Sequence, residues 1–253
     1  MGKILKGKVA LVTGGSRGLG AAIAVKLAKL GADVVISYVS SDDKATYVVE
    51  EIRKEGVKAN SIKSDQADLS SAKPLIDSVI AGFGKLDILV NNAGITAQGQ
   101  MVDDPELDED KYNSQWQVNV MGAIAITRAA ASKLTDGGRI IFIGSLLGQY
   151  VPFRGVADYA GTKSALVGYA KGIARDLGPR NITVNVLQPG ALPTDMNKEV
   201  LGENPDLDSF LDLHPIRRFA TLEEVAEAVG FLSGPSASYI TGETINMAGG
   251  AGI

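Results

Sequence analysis

The amino-acid sequence predicts an α/β fold, in which a doubly wound parallel sheet carries helices on both faces. Short runs rich in valine, isoleucine and leucine alternate with amphipathic stretches along the 253 residues. A glycine-rich turn follows the first apolar run, and no linker, repeat or low-complexity tract divides the chain. Such alternation produces parallel strands joined by right-handed helical crossovers. We therefore expect a single domain spanning residues 1–253.

Seven runs are predicted to form the strands of this sheet. Most consist of aliphatic and β-branched residues, as expected when helices cover both faces of a sheet. In chain order the strands are Val9–Thr13, Asp33–Tyr38, Lys58–Asp65, Leu86–Asn92, Arg139–Ser145, Ile182–Gln188 and Glu243–Met247. The third has the weakest pattern and is assigned by its position between two helices.

Six amphipathic stretches are predicted to form the helices, because their apolar residues recur at helical spacing. They are Gly18–Leu30, Asp42–Glu55, Ser70–Phe83, approximately Leu107–Leu134, Asp158–Leu177 and Leu222–Leu232. Asp42 and Ser70 are predicted N-caps, since short polar side chains accept hydrogen bonds from free backbone N–H groups. Gly31 and Gly56 are predicted helix stops.

Composition and charge argue against several classes of function. A net charge of −4 indicates no basic surface for nucleic acid or for an anionic membrane. No apolar run approaches the roughly 20 residues that span a bilayer, and the short N-terminal run is interpreted as a strand, not a signal peptide. The chain has no cysteine, and its one histidine, His214, cannot form a multi-histidine metal site. We expect a cytoplasmic protein with no bound metal.

The turn TGGSRGLG, Thr13–Gly20, lies between the first strand and the first helix. Gly14 suits a tight turn, Gly18 lets the main chain approach a pyrophosphate, and Gly20 lets the helix pack closely. The helix N-terminus then faces the phosphates with free N–H groups. The spacing G-x-x-x-G-x-G differs from the usual G-x-G-x-x-G, and a glycine cluster alone also fits an ordinary turn. Its position favours a Rossmann-like dinucleotide site, with predicted contacts at Gly14, Ser16, Arg17, Gly18, Leu19 and Gly20.

The end of the second strand indicates which nicotinamide cofactor binds. NAD-selective folds place an acidic residue there, on the ribose 2′-hydroxyl. Here the strand ends at Tyr38, and the first carboxylate comes only at Asp42. Arg17 can reach a 2′-phosphate, to which Ser40 and Ser41 can also donate. Tyr38 is predicted as a further cofactor contact. The sequence therefore favours NADP(H), with NAD(H) possible, although Arg17 also fits a solvated loop charge.

A tyrosine and a lysine four residues apart predict the catalytic face. Tyr159 and Lys163 share one face of their predicted helix. A cation about 5 Å from a phenol contributes about 3 kcal/mol, which lowers the pKa by about two units toward neutrality. Such a phenol exchanges a proton with a carbonyl or alcohol oxygen, and Ser145 can hydrogen-bond the same oxygen. Alone, this spacing is typical of residue pairs on a helix surface. The glycine turn in the same chain favours a catalytic role for the pair.

These motifs resemble the short-chain dehydrogenase/reductase family over nearly the whole chain. The resemblance is closest to its 3-oxoacyl-carrier-protein reductase branch. The matching positions are Thr13–Gly20, Ser64–Asp68, Asn91–Gly94, Asn119, Ser145, Tyr159, Lys163, Pro189–Gly190 and the C-terminal SYITGETINMAGG. Ala248 departs from the pattern, because the family usually has aspartate there.

The resemblance implies a role for each catalytic position. Tyr159 would be the general acid/base, and Lys163 would lower its pKa and hold the nicotinamide ribose. Ser145 would polarise the substrate carbonyl. Asn119 would hold a water that relays protons to Lys163. Asn119 also fits a structural amide within a helix.

The same resemblance implies further cofactor contacts. The adenine would be met by Asp65, with Gln66 beside it. The adenosine ribose would be lined by Asn91, Ala93 and Gly94. The nicotinamide would be met by Pro189, Gly190 and Thr194. Outside the family pattern, Asn91 also fits a structural amide, Asp65 a strand-end cap and Thr194 a helix cap.

Together these features predict an NADP(H)-dependent oxidoreductase that transfers hydride between nicotinamide and a ketone or secondary alcohol. The family keeps a substrate lid at 191–214, where this chain has Met196, Val200, Leu201, Phe210 and Leu213. Other pocket candidates are Ile95, Leu146, Gln149, Val151, Phe153 and Arg154. The acidic segment 101–115 fits a pocket entrance or a solvated loop. By resemblance we expect a homotetramer built on helices 107–134 and 158–177. The alternative is a nucleotide-binding regulatory protein on the same fold.

Overall fold

The computed structural model describes residues 2–194 and 211–253, which form one seven-stranded sheet flanked by helices. The strands are β1 (Val9–Val12), β2 (Asp33–Tyr38), β3 (Ala59–Lys63), β4 (Leu86–Asn91), β5 (Leu134–Ile143), β6 (Thr183–Pro189) and β7 (Thr244–Met247). All pairings are parallel, in the order β3-β2-β1-β4-β5-β6-β7. The predicted doubly wound α/β fold is confirmed.

The helices cover the sheet from both sides. They are α1 (Gly18–Lys29), α2 (Asp42–Lys54), α3 (Ala72–Phe83), α4 (Glu109–Trp116), α5 (Ala123–Ala131), α6 (Ala157–Leu177) and α7 (Leu222–Ser233). One core lies beneath α1, α2 and α7, and the other beneath α3, α5 and α6. Strand side chains alternate between the two: Val12 joins the first core and Leu11 the second. No helix in the described ranges is both long and apolar enough to cross a membrane.

The predicted helix, approximately Leu107–Leu134, is shorter in the structure: helical residues run without interruption from Glu109 to Ala131 and include a turn of π-helix. Helix α4 ends at Trp116, a turn of π-helix covers Gln117–Gly122, and α5 ends at Ala131. Leu134 begins β5, where it pairs with Leu86 before a shift in register. Apolar residues at helical spacing continue into this strand, so periodicity alone does not locate the boundary.

The predicted N-caps are also displaced. Ser41, not Asp42, precedes α2, so Asp42 begins the helix itself. Before α3, a short 3₁₀ turn covers Leu69–Ser71, and the Asp68 carboxylate accepts from the Ser70 N–H. The two predicted stops are confirmed, because Gly31 and Gly56 follow α1 and α2 with φ of 98° and 77°.

Candidate active site

The predicted site residues gather at the carboxyl ends of neighbouring strands. The glycine turn follows β1, Asn91–Gly94 closes β4, Ser145 follows β5, and Pro189–Gly190 closes β6. The strand order reverses between β1 and β4, because the chain first runs outward to β3 and then returns to the centre. In open α/β sheets, a crevice forms at such a switch point and binds ligands.

The glycine turn adopts the geometry that a phosphate cradle needs. Gly14 and Gly18 have φ of 63° and 54°, which favours glycine. A Cβ on Gly20 would lie 2.3 Å from the Gly14 carbonyl oxygen, so only glycine allows this packing. Arg17 precedes α1 in extended conformation, and no side chain caps the helix within the described residues. The first turn of α1 therefore presents N–H groups to the crevice.

Two residues that sequence reasoning left without a role hold this turn in place. Asn92 Nδ2 donates to the Thr13 carbonyl at 2.9 Å and to the Gly14 carbonyl at 3.2 Å. Thr13 Oγ1 accepts from the N–H groups of Asn92 and Ala93 at 3.1 and 3.0 Å. The signal was present in the sequence: a threonine opens the glycine motif and a second asparagine stands in NNAG.

The predicted 2′-phosphate contacts lie at the edge formed by β1 and β2. Gly15 N donates to the Ser37 carbonyl at 3.0 Å, which holds the glycine turn against the end of β2. Arg17 and Ser40 are exposed, and Arg17 forms no ion pair with any described residue. Tyr38 is hydrogen-bonded to the Asp42 carboxylate, and this bond raises the pKa of the phenol. Ser41 is half-buried.

The residues predicted to contact the adenosine already form some hydrogen bonds within the protein. Asp65 is exposed, and its Oδ1 accepts from Ala67 N at 2.9 Å, as a strand-end cap does. Gln66 Nε2 donates to the Ala93 and Val118 carbonyls at 3.2 and 2.8 Å. Asn91 Nδ2 donates to Thr127 on α5 at 3.0 Å. The side-chain amide nitrogens of Gln66 and Asn91 are therefore engaged within the protein, whereas Gln66 Oε1 and Asn91 Oδ1 have no hydrogen-bond partner among the described residues.

Ser145, Tyr159 and Lys163 lie close together in the structure. Lys163 Nζ lies 5.6 Å from the centre of the Tyr159 ring and donates to the Ile143 carbonyl at 3.1 Å. The Tyr159 hydroxyl is hydrogen-bonded to Ser145, whose Oγ also accepts from Leu147 N at 3.2 Å. The three groups therefore share one end of the sheet.

The predicted fall in the pKa of Tyr159 is wrong for this arrangement. Burial raises the pKa of Tyr159 to about 12, and the hydrogen bond with Ser145 only partly opposes the rise. Burial also lowers the pKa of Lys163 to about 8. Removing both groups from water disfavours both charged forms, and this effect exceeds the attraction assumed from spacing alone.

Asn119 lies in the π turn between α4 and α5 and joins two parts of the site. Its Oδ1 accepts from Ile95 N at 2.8 Å, and its Nδ2 donates to Ile95 O at 2.9 Å and to Thr162 Oγ1 at 3.3 Å. A Cβ on Gly94 would lie 3.1 Å from Asn119 Oδ1 and 3.5 Å from Lys163 Nζ. The amide thus connects the loop after β4 to α6, with Gly94 between Asn119 and Lys163.

The predicted nicotinamide contacts lie where β6 and β7 end. Gly190 N donates to the Met247 carbonyl at 3.0 Å, and a Cβ on Gly190 would lie 2.9 Å from Ala248 Cα. Thr194 stands beside the glycine turn, with its Cγ2 3.9 Å from a Cβ placed on Gly18. Of the predicted lid residues, Met196, Val200, Leu201 and Phe210 lie outside the described residues, whereas Leu213 is half-buried and His214 is a buried loop residue.

A cavity of about 280 Å³ borders the first turn of α6. Of the predicted pocket residues, Val151, Phe153 and Arg154 line it, whereas Ile95, Leu146 and Gln149 do not. Leu146 packs against Ala248 and Ala251, and Gln149 accepts from Asn246 at 3.1 Å. Met101, Val102, Asp103 and Leu107 form the opposite wall, so segment 101–115 is part of the cavity and not only a solvated loop.

Comparison with known proteins gives matches over nearly the whole chain. A family model described as enoyl-(acyl carrier protein) reductase matches residues 14–252. A cyclic-di-GMP-binding biofilm dispersal mediator protein of Escherichia coli K12 is 40% identical over 247 residues, which cover 97% of this chain and 98% of the relative. A 3-oxoacyl-[acyl-carrier-protein] reductase of Staphylococcus aureus is 38% identical over 245 residues, which cover 96% and 97%.

A solved structure also matches this chain over nearly its whole length. A short-chain dehydrogenase from Burkholderia cenocepacia J2315, crystallised in complex with NADP, has a TM-score of 0.92 and 44% identity to this chain. The match covers 99% of this chain and 100% of the other.

Proposed function

Because the chain belongs to the short-chain dehydrogenase/reductase family, we propose that it is an NADP(H)-dependent oxidoreductase acting on a ketone or secondary alcohol. It is of the carbonyl reductase or 3-oxoacyl reductase type. The observation that carries the proposal is the convergence of Ser145, Tyr159 and Lys163 beside an open glycine turn.

The residues of the crevice fit a dinucleotide. The positive φ angles of Gly14 and Gly18 and the uncapped start of α1 suit a pyrophosphate. Arg17 is exposed at the edge where an adenosine 2′-phosphate would lie, and Asp42 is held by Tyr38. NADP(H) is therefore favoured over NAD(H), and the NADP complex of the Burkholderia relative supports this choice.

We assign the chemistry of the protein's own groups as follows. Bound NADPH supplies the hydride. Ser145 donates a hydrogen bond to the substrate carbonyl, which orients the carbonyl and polarises it. A pKa of about 12 keeps the Tyr159 phenol protonated at neutral pH, so it can donate its proton to the oxygen as negative charge develops there. The protonated phenol suits ketone reduction better than alcohol oxidation at this pH.

Lys163 and Asn119 are proposed to return the proton to Tyr159. With a pKa of about 8, Lys163 exchanges protons near neutral pH, and its Nζ lies beside the Tyr159 ring. Asn119 Nδ2 is fully engaged, but Oδ1 keeps a lone pair that can accept from a water near Gly94. This arrangement supports the relay that the family resemblance implies.

The spacing of Tyr159 and Lys163 favours a ketone over an enoyl substrate. The matching family model is described as an enoyl reductase. By family resemblance, we expect an enoyl reductase to space the tyrosine and the lysine more widely. Here they are one helical turn apart on α6. We propose residues 191–214 as a substrate lid, and a cytoplasmic homotetramer as the working form.

The test is NADPH oxidation followed by absorbance with a panel of ketones and acetoacetyl thioesters. We expect turnover with NADPH, less with NADH, and a loss of at least about 100-fold in kcat for Tyr159→Phe. The control is NADPH binding by fluorescence, which Tyr159→Phe should retain. Undiminished turnover in Tyr159→Phe would contradict the assigned role. Tight NADPH binding without turnover of any panel member would favour a regulatory protein.

A further inference from the structure

Two glutamine side chains join the turn that follows β3 to the π turn between α4 and α5. Gln66 Nε2 donates to the Val118 carbonyl at 2.8 Å. In the opposite direction, Gln117 Nε2 donates to the Ala67 carbonyl at 2.9 Å. The main chains also meet here, because a Cβ on Gly122 would lie 2.2 Å from the Gln66 carbonyl oxygen. The turn after β3 is therefore bound to the π turn at three points.

The Gln66 amide also closes a ring of hydrogen bonds around the loop that follows β4. Its Nε2 donates to the Ala93 carbonyl at 3.2 Å, near the start of this loop. Two residues later, the N–H and the carbonyl of Ile95 are both bonded to the Asn119 side chain. The ring returns from Asn119 to Gln66 through the neighbouring Val118 carbonyl. The loop and the π turn therefore hold each other in place.

Ala93 connects this ring to the glycine turn. Its N–H donates to Thr13 Oγ1 at 3.0 Å, and a Cβ on Gly14 would lie 2.9 Å from Ala93 Cα. Groups packed this closely transmit a displacement, because no free space is available to absorb it. A shift of the glycine turn is therefore passed to Ala93, whose carbonyl is bonded to Gln66.

The opposite side of the ring lies near Lys163. A Cβ on Gly94 would lie 3.1 Å from Asn119 Oδ1 and 3.5 Å from Lys163 Nζ. The direction of Asn119 relative to Lys163 thus depends on where the ring holds the loop and the π turn. One contiguous set of contacts therefore runs from the glycine turn to the surroundings of Lys163, and such a set can carry coupling between two sites.

The orientation of the Gln66 amide is fixed by its two bonds. The residue is 6% exposed, and its Nε2 uses one N–H for each of the Ala93 and Val118 carbonyls. Its Oε1 has no hydrogen-bond partner among the described residues. A flipped amide would place this oxygen against two carbonyl oxygens, so only the observed orientation joins the loop to the π turn.

We propose that Gln66 and Gln117 are positioning residues that couple occupancy of the phosphate turn to the direction of Asn119, and this inference rests on the proposed function. The adenosine half of the cofactor, which carries the phosphates, thereby acts on the proton relay without touching it. A displacement of about 1 Å in a catalytic group costs up to about 100-fold in rate. Loss of either glutamine should therefore lower kcat more than it raises the KM for NADPH.

Steady-state kinetics with NADPH and the best ketone of the panel test both residues. Gln66→Met and Gln117→Met keep an unbranched side chain of similar length but cannot donate a hydrogen bond. In each variant kcat should fall at least about tenfold, while the KM for NADPH changes less than about threefold. Because the two glutamines act as one unit, the double variant should be within about twofold of the slower single variant.

The matched control is Asn60→Leu, which replaces an exposed amide on β3 with an apolar side chain of similar size. It should change neither kcat nor the KM for NADPH. A raised KM with unchanged kcat in Gln66→Met would mean that the residue acts on cofactor binding alone, and would overturn the inference.

A binding test does not depend on turnover. Trp116, the single tryptophan, directly precedes the π turn. Adenosine 2′,5′-bisphosphate carries phosphates of the adenosine half but no nicotinamide, so it does not reach the catalytic face. Its binding, followed by calorimetry, should change the Trp116 emission in the wild type and in Asn60→Leu. At equal saturation, the change should be at least about fivefold smaller in Gln66→Met.

The emission test separates failure of this inference from failure of the proposed function. An equal change in all three proteins, or none in the saturated wild type, would overturn the coupling and leave the reductase assignment intact. A change that is lost in Gln66→Met, in a protein that turns over no ketone, would support the coupling and overturn the reductase assignment. Absence of bisphosphate binding to the wild type would overturn the NADP(H) assignment and this inference together.

Discussion

At the scale of single residues, burial governs the chemistry of the catalytic pair. Tyr159 and Lys163 lie side by side, yet the pKa of the phenol rises and that of the ammonium falls. Both shifts disfavour charge, so the apo pair is close to neutral tyrosine and partly neutral lysine near pH 8. In the proposed reduction, this state would provide a proton donor without a buried ion pair.

The lowered pKa of Lys163 predicts a pH dependence of stability. The pKa is about 8 in the folded protein and near 10.5 in the unfolded chain. Between these values the unfolded chain binds more protons, so the free energy of unfolding rises as pH increases from about 8 to about 10.5. Well below pH 8 both states are protonated, and this contribution no longer changes with pH. Relative to Lys163→Met, the wild type should gain about 2 kcal/mol between pH 8 and pH 10.

Urea unfolding of both proteins at the two pH values measures this gain. Lys163→Met serves as the reference because methionine keeps an unbranched side chain of similar length and does not titrate. Parallel pH profiles for wild type and Lys163→Met would mean that Lys163 keeps an ordinary pKa when folded.

At the scale of elements, the packing of α1 on the glycine turn is the most constrained contact of the cofactor site. A Cβ on Gly20 would lie 2.3 Å from Gly14 O and 2.5 Å from Asn92 Nδ2. Neither atom can move away easily. Gly14 O belongs to the backbone, and Asn92 Nδ2 is hydrogen-bonded to the carbonyls of Thr13 and Gly14. Adding a methyl group therefore displaces the phosphate turn.

We expect Gly20→Ala to lower the free energy of unfolding by about 1–3 kcal/mol and to weaken NADPH binding at least tenfold. The matched control is Gly82→Ala in α3, where a Cβ meets no atom within 4 Å. That change should raise stability by up to about 1 kcal/mol and leave binding intact. Urea unfolding and NADPH titration measure both quantities. Equal behaviour of the two variants would refute the steric explanation.

The π turn between α4 and α5 is a second feature of element scale. It lies at Gln117–Gly122 and contains Asn119, which bonds Ile95 and Thr162. A wider turn changes the direction in which its side chains point, and such turns occur frequently at functional sites. A continuous α-helix through this segment would present Asn119 in a different direction.

At the scale of the whole molecule, several large apolar side chains are exposed in the described residues. Phe231 on α7 is 49% exposed, and Tyr239 and Ile253 are fully exposed. Tyr239 precedes β7, at the end of the sheet opposite the proposed active site, whereas Ile253 follows Gly252, which lies against Tyr150 beyond the carboxyl end of β7. In the proposed homotetramer, subunit contact would remove such residues from water.

Light scattering should therefore give a mass about four times the 26.4 kDa of one chain. Introducing charge with Phe231→Glu should shift the mass downward while preserving the far-ultraviolet circular dichroism of the fold. A wild-type mass of a single chain would contradict the tetramer, and an unchanged mass in Phe231→Glu would exclude that residue from the interface.

The sequence by itself determined the sheet, most helices and the types of residue at the site. The reason is that the features used are local in the sequence. They are the periodicity of apolar residues, glycine at turns with positive φ, and the four-residue spacing of Tyr159 and Lys163. Six of the seven strands match within two residues at each end; β5 alone begins five residues before the predicted Arg139, at Leu134.

Other features depend on residues that are far apart in the sequence, and only the tertiary structure shows them. The clamp of Asn92 on Thr13 joins β4 to β1, residues about 79 positions apart in the chain. The π turn at 117–122 and the pKa shifts of Tyr159 and Lys163 depend likewise on packing and burial. The desolvation of a group depends on all the atoms that surround it, so it cannot be predicted from the spacing of residues along the chain.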